Sequence, residues 1–457
     1  MSARAVRSRS SAPPESSSAL LRLVLCAVFL VMPPVAWAQD RTPSPARDST
    51  PRLQLGAVYG AVRDRNPKAA AARSLAEAFD ARVPAAGLLP DPGVQVGFMN
   101  YELPSLRPMN TLGMVQLQVM QMLPLGGKLP LSSRIASHQA AAQGARAADV
   151  SWEIRTRAAM AFYELFAAEQ GIEIATGTRR LVQDVAHIAQ SMYEVGEGNQ
   201  ADVLRAQVEI ARMTEEIARM DAMRSAAAAK LNALMDRPAA SPVDTAALPR
   251  FPAAAPSIDS LVAMALRARP MIRAGEEDVA AADAMARRAR RELIPDLVVG
   301  VQYAQRGGEM GTERMGSLML GASIPVFAGR RQLKWRDEAD AMRAMSAADL
   351  AYMKADTRGR IGEVTAMLHR ARRLTELYTT TVVPQAEAAV TSAIAAYRVG
   401  RIDFMTVLDN RMTVNRYRQE LVTLRADEGR AWAELEMLAG RELFDSWSIA
   451  TPSGEKR

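Results

Sequence analysis

A stretch of 45 residues occurs twice in this chain, and the repeat constrains the fold more than any other feature. Residues 193–237, which begin YEVGEGNQADVL, align without a gap on residues 397–441, which begin YRVGRIDFMTVLD. The two stretches share 13 identities at a constant offset of 204. A repeat of this kind indicates one structural unit built twice. We therefore expect two copies of one unit along the chain.

Each repeated stretch carries apolar residues at alternating spacings of three and four. The pattern runs from Val203 to Leu234 in the first copy and from Val407 to Leu438 in the second. Such spacing is typical of the seam of a coiled coil. A long helical segment precedes each stretch, so each copy predicts a helical hairpin. The two predicted hairpins cover 129–236 and 330–440.

Pro384 lies within the second long helix, whereas Arg180 holds the equivalent position in the first. Proline removes a backbone donor and clashes with the preceding turn. We therefore expect the second long helix to be kinked or interrupted at Pro384, and the first to continue.

Two pairs of shorter segments alternate between apolar and polar or small residues, as Val94, Val96 and Phe98 do with Gln95 and Gly97. Alternation with a period of two predicts strands. The four predicted strands lie at about 93–101, 112–123, 296–305 and 316–325. Each is close to the roughly 9–11 residues that a tilted strand needs to cross a bilayer.

Four strands cannot close a membrane barrel, because the smallest barrels have about eight. An open sheet edge in lipid would leave backbone groups without partners. The strands must therefore be shared between copies, and a trimer would supply twelve. The predicted fold is mainly α with a small β part: a long coiled-coil α-barrel plus a transmembrane β-barrel formed by a trimer, four strands per chain, with an internal two-fold repeat.

Residues 1–38 are typical of a signal peptide: arginines, then the apolar run Leu20–Met32, then Ala36-Trp37-Ala38 as a small-x-small cleavage site. The remaining boundaries follow from the repeat. We expect a first repeat at 39–237, a Pro/Ala-rich linker at 238–256, a second repeat at 257–445 and a tail at 446–457.

Composition and motifs argue against nucleic-acid binding and enzymatic activity. The net charge is only +7, and no basic block alternates with aromatic residues. Gly126-Gly127-Lys128 lacks the earlier glycine and the following Ser or Thr of a phosphate-binding loop. The three histidines, His138, His187 and His369, lack metal-ligand spacing. We therefore expect no catalytic residue, no cofactor and no metal-binding residue.

The doubled plan, the Pro-Asp step before each strand pair (LLPDPGVQV and LIPDLVVGV) and the turns YEVGEGNQADVL and YRVGRIDFMTVLD resemble the TolC-like outer-membrane efflux family. The resemblance covers nearly the whole chain after residue 38. It implies a homotrimer in the lipid of the outer membrane, with a long periplasmic portion. It also implies an exit duct that a periplasmic adaptor joins to an inner-membrane pump of the resistance-nodulation-division type.

The resemblance also assigns roles to residues around the two turns. It implies adaptor-contacting tips at Val195, Gly196, Glu197, Val399, Gly400 and Arg401. It further implies a channel constriction near the second turn, made by Tyr397, Thr406 and Asp409. In both tips the third position departs from the small or apolar residue of the family pattern, since Glu197 and Arg401 carry opposite charges.

The cargo and two alternative functions remain open at this point. LPDPGVQVGFMNYELPS and QMLPLGGKL resemble the heavy-metal branch of the family, which implies export of metal cations, while export of small toxic compounds uses the same plan. One alternative is a soluble periplasmic coiled-coil adaptor or scaffold protein. Another, within the same fold, is the exit duct of a polypeptide secretion system.

Overall fold

The computed structural model describes residues 52–109, 113–308 and 311–449. The predicted signal peptide lies outside these ranges, as does most of the predicted tail. The described part is mainly helical with a small β part, as predicted. The helices are α1 (Leu55–Arg65), α2 (Pro67–Ala86), α3 (Lys128–Glu194), α4 (Gln200–Leu234), α5 (Ile258–Ala268), α6 (Pro270–Arg291), α7 (Gln332–Leu377), α8 (Val383–Arg398) and α9 (Phe404–Ala439). The strands are β1 (Arg52–Leu53), β2 (Gly93–Met99), β3 (Tyr101–Glu102), β4 (Arg107–Pro108), β5 (Met114–Leu123), β6 (Thr245–Ala246), β7 (Asp296–Gly308) and β8 (Gly311–Ser323).

Two helical hairpins form the longest part of the structure. The helix α3 contains 67 residues, which corresponds to about 100 Å at about 1.5 Å per residue. It turns back into α4, and α8 turns back into α9 in the same way. The predicted seam positions are buried or half-buried in both hairpins. Ala206, Met213 and Leu231 are buried in α4, and Val407 and Leu435 are buried in α9, so the predicted apolar seams are packed in both hairpins.

The second long helix is interrupted close to Pro384, as predicted. Between α7 and α8, residues Tyr378–Val382 form a π-helical turn, and the N–H of Val383 donates to the carbonyl of Tyr378. Pro384 lies in the first turn of α8, where a missing N–H costs least. The helix α3 carries Arg180 at the equivalent position and remains α-helical throughout.

Strands from both halves of the chain form one antiparallel sheet in the order β2-β5-β7-β8. The central pair β5–β7 joins the halves, with Leu123 opposite Leu297. The strand β8 begins at Gly311, before the predicted start at 316, and the extension includes an ion pair of 2.6 Å between Glu313 and Arg306 of β7. Within the described residues, β2 and β8 are the edges and each pairs on one side only.

The sheet has two different faces. Val96, Leu117 and Tyr303 are opposite one another across β2, β5 and β7, and all three side chains are exposed on one apolar face. On the other face the amide of Gln302 donates to the side-chain carbonyl of Gln116 at 2.6 Å. None of the described helices is long and apolar enough to cross a membrane.

The main hydrophobic core lies where α1, α3, α5, α7 and α9 meet, around the fully buried Trp432 and Phe162. The predicted linker at 238–256 packs onto this core. Its strand β6 pairs in parallel with β1, and Phe251 makes an edge-on contact with Phe444, with ring centroids 5.5 Å apart. The proline-rich composition therefore corresponds to a docked surface segment.

Candidate functional site

The two interhelical turns have the same backbone geometry. In the first turn, the N–H groups of Glu197 and Gly196 donate to the carbonyls of Met192 and Tyr193 at 2.9 and 3.1 Å. In the second turn, the N–H groups of Arg401 and Gly400 donate to the carbonyls of Ala396 and Tyr397, both at 2.9 Å. These paired bonds define a Schellman motif at the end of each helix.

Each motif requires a glycine at its centre. Gly196 and Gly400 have φ angles of 82° and 69°, in the left-handed region that residues with a Cβ rarely adopt. A Cβ added at either glycine would meet no atom within 4 Å. Backbone conformation alone therefore selects glycine at these positions within the chain.

The side chains beside the two glycines project into solvent. Val195 and Val399 are 71% and 66% exposed. Glu197 and Arg401 are exposed as well, and among the described residues neither side chain has a hydrogen-bond or ion-pair partner. Schellman motifs often have an apolar residue directly after the glycine, packed against the helix. In this chain that residue is charged and exposed, so both tips are accessible from solvent.

Behind the tips, the ends of α3, α4, α8 and α9 share one hydrophobic cluster, here called the tip cluster. It is built from Val182, Val185, Ala189, Ala206, Ala393, Tyr397, Phe404, Val407 and Leu408. The tip cluster brings the two turns into one structural unit, because each hairpin contributes to it.

Tyr397, predicted at the constriction, lies inside the tip cluster. Its side chain is 6% exposed and contacts Phe404 edge-on, with ring centroids 5.9 Å apart. Burial raises the pKa of its hydroxyl, and the nearby carboxylate of Asp202 adds to that effect. Its counterpart in the first turn, Tyr193, is 43% exposed. The equivalent tyrosines thus have different environments.

The other two predicted constriction residues lie on the first turns of α9, and both are exposed. The Thr406 hydroxyl donates to the carboxylate of Asp403, the N-cap residue of α9. That bond lowers the pKa of Asp403. The Asp409 side chain has no hydrogen-bond or ion-pair partner in the described ranges, so its charge is available to an ion or another chain.

Polar contacts that sequence reasoning missed connect the helices above the tip cluster. The Thr178 hydroxyl of α3 donates to the Asn415 side chain of α9 at 2.9 Å, and this pair is buried. Arg418 of α9 bonds Glu387 of α8 at 2.5 Å. Asn415 lies beside the seam residue Val414. A polar residue buried within an apolar repeat can fix helix register. The position of Asn415 beside the seam was therefore the sequence feature that could have predicted this contact.

The described residues contain no group of three or more His, Cys, Asp or Glu side chains placed to hold a metal ion. His138, one of the three histidines, contacts Glu277 at 2.8 Å between α3 and α6. At the tips, the described side chains offer exposed charges and apolar surface.

Comparisons with known proteins agree with this geometry. The family model described as "Outer membrane efflux protein" matches residues 58–236 and 261–441. The chain is 23% identical over 333 residues to the cobalt-zinc-cadmium resistance protein CzcC of Cupriavidus metallidurans, covering 70% of this chain and 75% of that protein.

Solved structures share the fold at low sequence identity. The outer membrane protein VceC of Vibrio cholerae matches with a TM-score of 0.72 at 18% identity, over 85% of this chain and 96% of that chain. The outer membrane channel CmeC of Campylobacter jejuni matches with a TM-score of 0.73 at 11% identity, over 92% and 96%. Since the family model covers both halves, the chain belongs to the outer membrane efflux protein family and is an efflux channel of the outer membrane.

Proposed function

We propose that three copies of this chain assemble into a continuous exit duct, in which twelve strands close one β-barrel in the outer membrane and the helical hairpins form a periplasmic α-barrel. The four-stranded sheet carries this proposal. Its edges β2 and β8 lack a second neighbour among the described strands, and its apolar face is exposed. Lipid tolerates such a face but does not tolerate open edges.

The flanks of the helical hairpins support assembly with other copies. Leu204 and Val208 of α4 are exposed, as are Met345 and Tyr352 of α7. Large apolar side chains grouped on helix flanks indicate contact surfaces. A neighbouring copy that packed α4 against α7 would cover both flanks and close the tube.

The trimer needs paired hairpins, and a tandem duplication supplies them. The family model matches two successive segments, 58–236 and 261–441, which support the proposed repeats at 39–237 and 257–445. Each chain then presents two similar tips at the periplasmic end.

The tips are proposed as the docking surface of a periplasmic adaptor, which would link the duct to an inner-membrane pump of the resistance-nodulation-division type. Exposed Val195 and Val399 would provide the apolar contacts, and Glu197 and Arg401 the charged ones. Affinity of a purified adaptor for the double reversal Glu197→Arg, Arg401→Glu tests the charged contacts. An unchanged affinity would remove these two side chains from the docking surface.

The constriction is proposed at the start of α9. Three copies of Asp409 around a threefold axis would form a ring that attracts cations. Tyr397 would act from inside the tip cluster by fixing the α8–α9 turn, and Thr406 by holding the Asp403 carboxylate at the start of α9. Tyr397 is therefore proposed as a positioning residue whose ring does not line the duct.

Metal cations are the proposed cargo. The likeness to a cobalt-zinc-cadmium resistance protein supports divalent transition metals, and the glutamine-rich face of the sheet would supply a polar, uncharged lining. Growth of a deletion strain on cobalt, zinc, cadmium, copper and silver, beside a panel of dyes, tests the cargo. Sensitivity to dyes with unchanged metal tolerance would contradict it.

Fractionation and conductance test the duct itself. We expect the full chain to be extracted from the outer membrane only with detergent, to migrate as a trimer, and to conduct ions in planar bilayers. A monomer released from the periplasm by osmotic shock would overturn the proposal.

A further inference from the structure

A cleft lined by arginines lies at the junction between the helices and the sheet. It has a volume of about 590 Å³, and its lining contains Arg134 of α3 and Arg287, Arg290 and Arg291 of α6. None of its nine lining residues is acidic. The cleft is therefore strongly basic, and the adaptor-contact and constriction proposals do not involve it.

Two of these arginines have no counterion. Arg287 pairs with Asp283 at 2.6 Å and Arg290 pairs with Asp340 at 2.9 Å. The side chains of Arg134 and Arg291 are exposed and, in the part of the chain that the structure describes, form neither ion pairs nor hydrogen bonds. Two free guanidinium groups on facing helices can each donate a fork of hydrogen bonds to phosphate oxygens.

The backbone of the cleft also suits an anion. Gly126 and Gly127 line it, and the helix α3 begins at the next residue, Lys128. The first N–H groups of a helix lack intrahelical acceptors and carry partial positive charge. This feature adds to the field of the arginines.

The cleft lies beside the start of α3, on a different side of that helix from Lys128. Lys128 bonds Asp296 at 2.8 Å, and Asp296 shares the polar face with Gln302 because residues along β7 alternate between faces. Arg134 follows Lys128 by six positions, which is about 120° around the helix axis from it. Arg134 therefore lies on a different side of α3 from the ion pair between Lys128 and Asp296.

Exposed apolar side chains surround the same junction. They are Leu88, Leu125, Leu293, Val326, Phe327 and Trp335. Exposed tryptophan and phenylalanine beside arginine are typical of the interface between a bilayer and water. At the interface between a bilayer and water, the phosphate groups that a membrane protein contacts are those of lipid headgroups.

We propose that the cleft binds the phosphate of an anionic phospholipid headgroup in the inner leaflet of the outer membrane, with Arg134 and Arg291 as its ligands. The inference rests on the proposed insertion of the sheet into that membrane. A bound headgroup would fix the depth of the sheet and hold α3 against α6 at the junction.

The test is lipid binding by the full chain in detergent, with phosphatidylglycerol, phosphatidylcholine and inorganic phosphate as probes and native mass spectrometry as the readout. We expect phosphatidylglycerol to be retained in preference to phosphatidylcholine. The double variant Arg134→Gln, Arg291→Gln should weaken that retention about 25-fold, since each surface arginine contributes about fivefold. The variant Arg134→Lys, Arg291→Lys keeps the charge and should restore most of it.

The matched control is Arg180→Gln with Arg370→Gln, two exposed arginines of α3 and α7. Arg180 lies about 69 Å along α3 from Arg134 at about 1.5 Å per residue. Equal loss in the control, no loss in the cleft variant, or equal retention of phosphatidylcholine would overturn the proposal. Displacement of lipid by equimolar inorganic phosphate would overturn the headgroup assignment. Wild-type conductance in planar bilayers separates these outcomes from a failure of the duct itself.

Discussion

The rings of Tyr397 and Phe404 are in edge-on contact across the turn between α8 and α9, with centroids 5.9 Å apart. This contact joins the last turn of one helix to the first turn of the next. Both side chains belong to the tip cluster, to which α3 and α4 also contribute. A substitution that disturbs the packing of one turn must therefore also disturb the packing of the other.

Phe404→Ala should loosen both turns. The side chain is 1% exposed, and removing a buried phenylalanine costs about 3–5 kcal/mol. We expect faster amide hydrogen exchange in residues 393–408 and also in 189–206, because the cluster is shared. Tyr397→Phe is the control, since it keeps the ring and should leave exchange nearly unchanged. Faster exchange confined to the second turn would show that the two tips are independent.

Gly400→Ala should destabilise the second turn by about 1–2 kcal/mol, because alanine disfavours the left-handed backbone. The site is sterically open, so Gly400→Asn should cost less, since asparagine tolerates this conformation. Thermal unfolding of the purified protein would rank the variants. Equal destabilisation by alanine and asparagine would point to a side-chain clash, contrary to the observed geometry.

Asp409→Asn should abolish block of the channel by divalent cations. A ring of carboxylates concentrates cations at the constriction, and the substitution removes the charge while keeping the shape. Single-channel recording in planar bilayers measures the block. Asp221→Asn, at an exposed aspartate of α4, is the control and should behave as wild type. Unaltered block in Asp409→Asn would place the constriction elsewhere.

The carboxyl of Glu436 should make stability depend on pH. Glu436 is 1% exposed and bonds Arg155 at 3.2 Å. Burial raises its pKa despite the attraction of Arg155. As the pH falls through this raised pKa toward the ordinary value of about 4.3, the folded protein takes up a proton before the unfolded chain does, so this group's contribution to stability increases.

Thermal midpoints of wild type and Glu436→Gln between pH 7 and pH 5 measure that contribution. We expect wild type to gain stability relative to the variant as the pH is lowered. If wild type instead loses stability relative to the variant as the pH is lowered, the pairing with Arg155 outweighs the cost of burial.

Local patterns in the sequence were sufficient for much of the fold. The seam that includes Ala206 and Val407 follows from a seven-residue period, and the break near Pro384 follows from proline's missing N–H. These features depend on residues close together in the chain, so they can be predicted directly from the sequence.

Contacts between distant segments were not predictable in this way. Tyr193 and Tyr397 occupy equivalent positions, yet only Tyr397 is buried, because the helices packed around it come from both hairpins. The docking of residues 238–256 likewise depends on β1 and Phe444, which composition does not specify. Arg134 is more than 150 positions from the other three arginines of the cleft, and it meets them only through the packing of α3 on α6.

Pairing of the sheet edges between copies is the most direct test of the trimeric duct. The chain has one native cysteine, Cys26, within the predicted signal peptide, so new cysteines in the exported chain would have no native competitors. Cysteines introduced pairwise at Val94, Val96 or Phe98 of β2 and at Leu318 or Leu320 of β8 would be oxidised in outer membranes and separated on denaturing gels. We predict that at least one pair yields a covalent trimer that reverts to monomer on reduction. If no pair links different copies while the protein remains in the membrane, the shared barrel is contradicted.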